Sequence, residues 1–295
     1  MSERNEISAN VTITSTTLAL IAFAANSVLC RMALAEQAID AANFTIIRLC
    51  SGAIALLLIL KLGKRKEATT SHGSWFSAAM LFGYASSFSF AYVTLDAGVG
   101  ALILFGAVQL TMIAATLIAG KILRPAEWCG VAIAFGGLIV LVFPGLSAPS
   151  YAGFCLMAAA GVCWGVYTLR GQSAVSVLAD TTFNFVRSLP LLGIISFYAI
   201  LRCQLSAQGI LLAILSGALT SGVGYAIWYV ALKGLTAVQA GIVQLLAPLL
   251  AAVGGVLFLS ELVTGRMIGS ALMILGGIGL AVWGRERLPK LKQAD

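Results

Sequence analysis

Charge is scarce in this chain. Only 10% of its 295 residues are Asp, Glu, Lys or Arg, there is one histidine, and prolines number six. A soluble domain covers its core with roughly 25% charged residues, so a surface this poor in charge must face lipid. The same scarcity removes whole classes of enzyme. The single histidine, His72, lies in a polar stretch, and no two acids stand at ligand spacing within an apolar run. That excludes the paired acidic clusters that hold magnesium and diphosphate, and the His-Glu-x-x-His pattern of zinc proteases. Glycines are plentiful, but no Gly-rich stretch ends in the Lys-Ser/Thr of a phosphate loop. Neither a cofactor nor a metal is expected, and neither is catalysis. Period-two alternation over segments of about 10 residues is also missing, which excludes a membrane barrel.

What the sequence has is long apolar runs. Hydrophobic residues make up 60% of the chain, and the mean hydropathy is +1.00. Runs of about 20 residues match a hydrocarbon core of roughly 30 Å crossed as helix. They fall at 14–34, 41–62, 75–95, 98–120, 126–146, 150–171, 178–202, 207–231, 234–259 and 264–284, with short connections that leave no room for a soluble domain. The reading is an all-α membrane protein of ten transmembrane helices. Six cysteines (Cys30, Cys50, Cys129, Cys155, Cys163, Cys203) lie in or beside these runs without metal-like pairing and read as small packing residues. The first residues carry Glu3, Arg4 and Glu6 ahead of a run long enough to span, so an uncleaved first helix is expected rather than a signal peptide.

The net charge of +7 does not mark a nucleic-acid binder, because the cations sit between apolar runs rather than in a groove-sized patch. They report topology. With the N-terminus inside, the inner segments hold Arg4, Lys61, Lys64, Arg65, Lys66, Lys121, Arg124, Arg170, Lys233, Arg285, Arg287, Lys290 and Lys292. The outer loops hold Arg31, Arg202 and Arg266, and Arg48 and Arg187 lie within spans. Both termini are therefore expected in the cytoplasm.

The two halves repeat. Phe44-Thr45-Ile46-Ile47-Arg48 in the second run lies over Phe183-Asn184-Phe185-Val186-Arg187 in the seventh. Tyr92-Val93 and Leu95 answer Tyr229-Val230 and Leu232, and Gly136-Gly137 answers Gly276-Gly277. Each half has an odd number of helices, so the second is inverted, with residues 1–146 as the first repeat and 147–295 as the second. Inverted repeats build transporters whose site lies at the repeat interface near the bilayer midplane. With Arg48, Gly136-Gly137, Trp164, Arg187, Pro248, Glu261 and Gly276-Gly277 in this order along the sequence, the chain resembles the paired EamA domains of the drug/metabolite transporter superfamily. Two departures stand out: Lys121 occupies the register of Glu261, and Val108 that of Pro248. Within the superfamily the chain is similar to bacterial amino-acid and metabolite exporters. The resemblance implies two inverted five-helix repeats around a central cavity, in the inner membrane of a bacterium.

Candidate substrate-binding residues are those that put polar or aromatic groups inside spans. They are Asn26, Tyr84, Ser87, Phe88, Gln109, Trp164, Tyr167, Thr168, Tyr225, Trp228 and Gln244. Tyr84, Ser87 and Phe88 share a helical face, as do Trp164, Tyr167 and Thr168. Such a lining stacks on apolar or aromatic groups and hydrogen-bonds a zwitterionic backbone. Singly, Tyr and Trp also serve as interfacial belts and Gln as a helix bridge. Arg48 and Arg187 each lie about two turns into a span, near opposite faces; they read either as snorkelling or helix-end contacts or as a gate or anion contact on each side of the membrane. Pro248 reads as a bend or a freed carbonyl, and Glu261 as a helix-end acid.

All eleven acids fall in tails, loops or helix ends. A buried titrating group is the usual means of proton coupling, and the first helix offers the neutral Asn26 instead. The expectation is export of amino acids, aromatic or apolar ones included, and related small metabolites by downhill, uniport-like alternating access. The alternative is a carrier of nucleotide-, nucleobase- or vitamin-type metabolites, in a proton-coupled form if a helix-end acid takes part. A receptor that binds without flux is the rival from another class. Partners are a small-molecule substrate and the lipid bilayer, with no nucleic acid; the oligomeric state is open, and a monomer suffices.

Overall fold

The computed structural model describes residues 8–62, 73–120, 125–143, 149–171, 176–235, 240 and 243–284. Among them the chain is helical, with no strand beyond an isolated bridge between Ile39 and Leu205. The helices are α1 (Ala9–Ala35), α2 (Ala41–Leu62), α3 (Trp75–Ala91), α4 (Ala97–Ile118) and α5 (Pro125–Val142) in the first half. The second half gives α6 (Tyr151–Gly171), α7 (Leu178–Arg202), α8 (Ala207–Gly234), α9 (Leu246–Leu259) and α10 (Gly265–Gly284). Six of these, α1, α2, α4, α6, α7 and α8, are long and apolar enough to cross a membrane, while α5, α9 and α10 are shorter apolar helices.

Two of the long helices are not regular. In α7 the ladder breaks after Ser188 into a 3-10 turn at Pro190–Leu192, as a proline without an N–H requires. In α8 the residues Leu215–Val223 form a π segment, a local widening common at functional sites. α8 runs to Gly234 and Leu235 is extended; residues 240, 243 and 244 are helical ahead of a turn at Leu245, after which α9 begins. Pro248 consequently sits in the first turn of α9, where its missing N–H costs little.

Packing follows the repeat. α3 packs on α6 as α1 packs on α8; α4 packs on α6 as α1 packs on α9; and α2 on α8 is answered by α7 on α3. α5 and α10 pack closely on each other, as do α2 and α7. Small residues make the tightest of these contacts. A Cβ at Gly130 would meet the Gly277 carbonyl, and one at Gly277 would meet the Gly130 carbonyl, so α5 and α10 touch backbone to backbone at the second diglycine. Gly161 and Gly165 of α6 face Ala107 and Thr111 of α4, the helix-packing role of small residues.

The same exchange appears in hydrogen bonds at the two ends. Asp40 Oδ1 accepts from the backbone N–H groups of Ala42 (3.1 Å) and Asn43 (2.9 Å), capping α2, while Oδ2 accepts from the N–H of Gln204 (3.2 Å) just ahead of α8. At the start of α7, Asp180 Oδ1 accepts from the N–H of Gly73 (3.1 Å), just ahead of α3, and Asn184 Oδ1 from that of Ser74 (2.9 Å). Each acid sits where it complements a helix N-terminus and ties one half to the other.

Three of the cysteines read as packing residues, Cys129, Cys155 and Cys203, are exposed; Cys30 is buried. Lys121, which occupies the register of Glu261, lies outside the described residues.

Candidate functional site

Asn26 on α1, Tyr84 on α3 and Ser221 on α8 lie near the middle of their helices, and they converge. Arg48 enters from α2. Its side chain is 2% exposed; Nη2 donates to the Tyr84 hydroxyl at 3.1 Å, and Nε donates to Ser221 Oγ at 3.4 Å. Its guanidinium carbon lies 4.8 Å from the Phe88 ring centre and 5.2 Å from that of Tyr84. Asn26 Nδ2 donates to the same Tyr84 hydroxyl at 3.5 Å, and its Oδ1 accepts from Ser216 Oγ (2.7 Å) and Thr220 Oγ1 (3.2 Å).

The π segment explains part of this convergence. It carries Ser216, Thr220 and Ser221, and its Gly217 lies so close to α2 that a Cβ there would overlap the Arg48 carbonyl and Ser51 Oγ. Only a residue without a side chain lets α8 approach α2 far enough for Ser221 to reach the guanidinium.

Aromatic rings cover the other side. Tyr84 and Trp164 have ring centres 4.8 Å apart, Trp164 and Tyr225 5.0 Å, and Trp164 stacks on Tyr167 at 5.5 Å with a 25° angle. Phe23 meets Tyr225 and Trp228 edge-on, at 6.0 and 5.6 Å. The rings touch one another, so residues expected to line an open cavity fill the centre of the bundle in this conformation. Tyr167 continues outward, donating to Thr181 Oγ1 at 3.5 Å, which is 2.9 Å from the Tyr229 hydroxyl.

The remaining candidates stand apart. The Thr168 hydroxyl bonds its own helix at the Trp164 carbonyl. Ser87, Gln109 and Gln244 make no hydrogen bond to the cluster among the described residues, although Gln109 is buried with Nε2 unpartnered. Arg187 lies 6.0 Å from the Trp75 ring centre, against the start of α3, so the two repeat-related arginines meet different surroundings. Reading the sequence missed Phe23, Ser216 and Thr220 as members of the cluster. The spacings Phe23–Asn26 and Ser216–Thr220 each put two such residues on one helical face, and that was the available signal.

The electrostatics of Arg48 are unusual. A charged arginine at the centre of a membrane helix costs on the order of 2.5–3.5 kcal/mol on insertion scales. Ring contacts return up to about 2 kcal/mol when desolvated, and two nitrogens are hydrogen-bonded. Nη1 is buried with no partner among the described residues, and a bond left unmade there costs roughly 1–3 kcal/mol. Among the described residues no carboxylate is within ion-pair distance of it.

That second cation holds one end of the bundle. Arg31 Nη1 donates to the carbonyls of Tyr92 (3.0 Å) and Val93 (3.1 Å) at the end of α3. Its Nη2 lies 3.4 Å from Asp96 and its Nε 3.5 Å from Glu261. Burial raises the Glu261 carboxyl above its ordinary value, against the Ala97 N–H and Arg31, which favour the charged form.

A multi-pass helical bundle that encloses a buried cation, hydroxyls and rings from both halves is the build of a small-molecule membrane transporter. The chain belongs to the EamA-like transporter family, of the drug/metabolite transporter superfamily, whose pattern matches it twice, over residues 11–143 and 151–283. It is 49% identical over 271 residues to an uncharacterized protein of Pseudomonas aeruginosa, covering 91% of this chain and 93% of that one. It is 29% identical over 180 residues to the threonine/homoserine exporter RhtA of Salmonella typhimurium, covering 58% of this chain and 60% of RhtA. A solved crystal structure with 18% identity matches the fold with a TM-score of 0.60, over 93% of this chain and 99% of that one.

Proposed function

We propose that the protein exports amino acids and related small metabolites across the bacterial inner membrane by downhill alternating access. All ten helices cross the bilayer as two inverted repeats, 1–146 and 147–295, with both termini in the cytoplasm and the monomer as the working unit. Flux, not catalysis, is its activity. The observation that carries this reading is the cluster of Arg48, Tyr84, Trp164 and Tyr225, drawn from both halves and, among the described residues, with no carboxylate in ion-pair reach of Arg48. Aromatic faces suit an apolar side chain, while the hydroxyls and Asn26 suit a zwitterionic backbone. The similarity to RhtA over part of the chain supports the amino-acid class. Phosphate-bearing substrates call for several convergent cations, and Arg187 does not join Arg48 at the cluster.

The test is flux in proteoliposomes over a panel of labelled amino acids, nucleosides and vitamins, with and without a pH gradient. Saturable amino-acid flux that needs no gradient supports the reading. Uphill uptake driven by an imposed pH gradient overturns the downhill mechanism, and flux confined to nucleosides or vitamins overturns the substrate class.

A further inference from the structure

Arg48 presents a chemical imbalance at a definite place. The guanidinium is buried among neutral groups, two of its nitrogens are engaged, and Nη1 is unpartnered. A planar guanidinium offers parallel N–H donors matched to the two oxygens of a carboxylate. Tyr84 adds to this. Its oxygen accepts from both Arg48 Nη2 and Asn26 Nδ2, and the neighbour left for its hydroxyl hydrogen is another neutral phenol, Tyr225. Two donors from one small region thus lack an anionic acceptor, at the contact between halves where inverted-repeat transporters bind substrate.

Building on the proposed amino-acid export, we infer that Arg48 Nη1, with the Tyr84 hydroxyl, receives the substrate's carboxylate. The anion supplies the negative charge missing around Arg48 among the described residues, and the substrate's side chain lies against Trp164 and Tyr225 after these rings part. One cation selects a singly charged group: a carboxylate neutralises Arg48, an amide leaves it charged, and a phosphate dianion exceeds it. Asn26, held by Ser216 and Thr220, fixes the Tyr84 hydroxyl and acts as a positioning residue.

The experiment compares L-threonine, L-tryptophan and their amides as substrates and competitors in proteoliposomes of the full chain, with Arg48→Gln and Arg48→Lys beside the wild type. The wild type is expected to prefer acid over amide by at least about tenfold in apparent KM, a factor worth 1.4 kcal/mol. Arg48→Gln is expected to erase that preference, raising KM for the acids and not for the amides, while Arg48→Lys restores part of it. Should Arg48→Gln fail to fold, the acid–amide comparison on the wild type alone decides. Equal transport of acid and amide by the wild type, or an unchanged preference in a folded Arg48→Gln, overturns the carboxylate site while amino-acid export stands. If neither amino acid moves or competes, the carboxylate site falls together with the export reading.

Discussion

Both carboxylate oxygens of Glu261 lie 2.9 Å from the backbone nitrogen of Ala97. A residue in the connection between α9 and α10 thereby caps the first turn of α4, a helix of the other half. Asp96, in the N-cap position itself, makes no side-chain capping bond, so Glu261 supplies the acceptor that the exposed N–H groups of a helix start need. Arg31 then joins the same carboxylate to the end of α3.

Loss of that cap has an expected size. Glu261→Ala should destabilise the protein by about 0.5–2 kcal/mol, read as a fall in Tm in detergent. Glu261→Gln keeps an acceptor for Ala97 and loses only the ion pair with Arg31, long at 3.5 Å and worth about 0–1 kcal/mol. A Gln variant as unstable as the Ala variant would assign the effect to charge rather than capping.

The raised carboxyl of Glu261 also sets a sign with pH. Between the ordinary carboxylate pKa and the raised native one, the folded chain holds more proton than the unfolded chain. The contribution of Glu261 to stability should therefore fall as pH rises through that window and be largest below it. Infrared difference spectra against Glu261→Gln should place the carboxyl titration above about pH 4.3; a lower midpoint contradicts this.

Arg31 anchors α1 to two carbonyls at the end of α3, and the neighbouring Cys30 is fully buried. Arg31→Ala should loosen this end and raise the rate of Cys30 alkylation by a small maleimide several-fold, followed by site-resolved mass spectrometry. An unchanged rate would mean that the carbonyl contacts do not hold the end closed.

Gly217 makes the closest approach of α8 to α2, and a methyl group there would overlap the Arg48 carbonyl. Gly217→Ala should destabilise by roughly 1–3 kcal/mol, the range for overpacking, and lower flux through displacement of Ser221. Gly279→Ala, in α10 with nothing within 4 Å of the new methyl, should be neutral or gain up to about 1 kcal/mol. Equal Tm shifts for the two would contradict the close α2–α8 contact.

Hydropathy placed two spans to the residue: 41–62 is the regular α2, and 178–202 is the span of α7 with its 3-10 turn included. The end of α8 falls at Gly234, three residues past the apolar run read as 207–231, and the turn at Leu245 within 234–259 is revealed only by backbone geometry. The π segment was equally hidden, since i→i+5 bonding leaves the composition unchanged. Within the site, Tyr84, Trp164 and Tyr225 were legible as aromatics inside spans, and their mutual contact was not. The depth of Arg48 was harder still. Its backbone position suggests the end of a helix, while its long side chain carries the charge to residues at mid-length on α3 and α8. The Arg31–Glu261 pair joins residues far apart in sequence and has no local signature.

The most direct measurement is efflux of labelled L-threonine and L-tryptophan from proteoliposomes at equal pH on both sides and zero membrane potential, for the wild type and Trp164→Ala. Expected is saturable efflux down the concentration gradient, reduced at least about tenfold by a substitution that removes the central ring, a barrier change of about 1.4 kcal/mol. Efflux absent from the wild type with no pH gradient or membrane potential, or undiminished in Trp164→Ala, would contradict downhill export through the aromatic cluster.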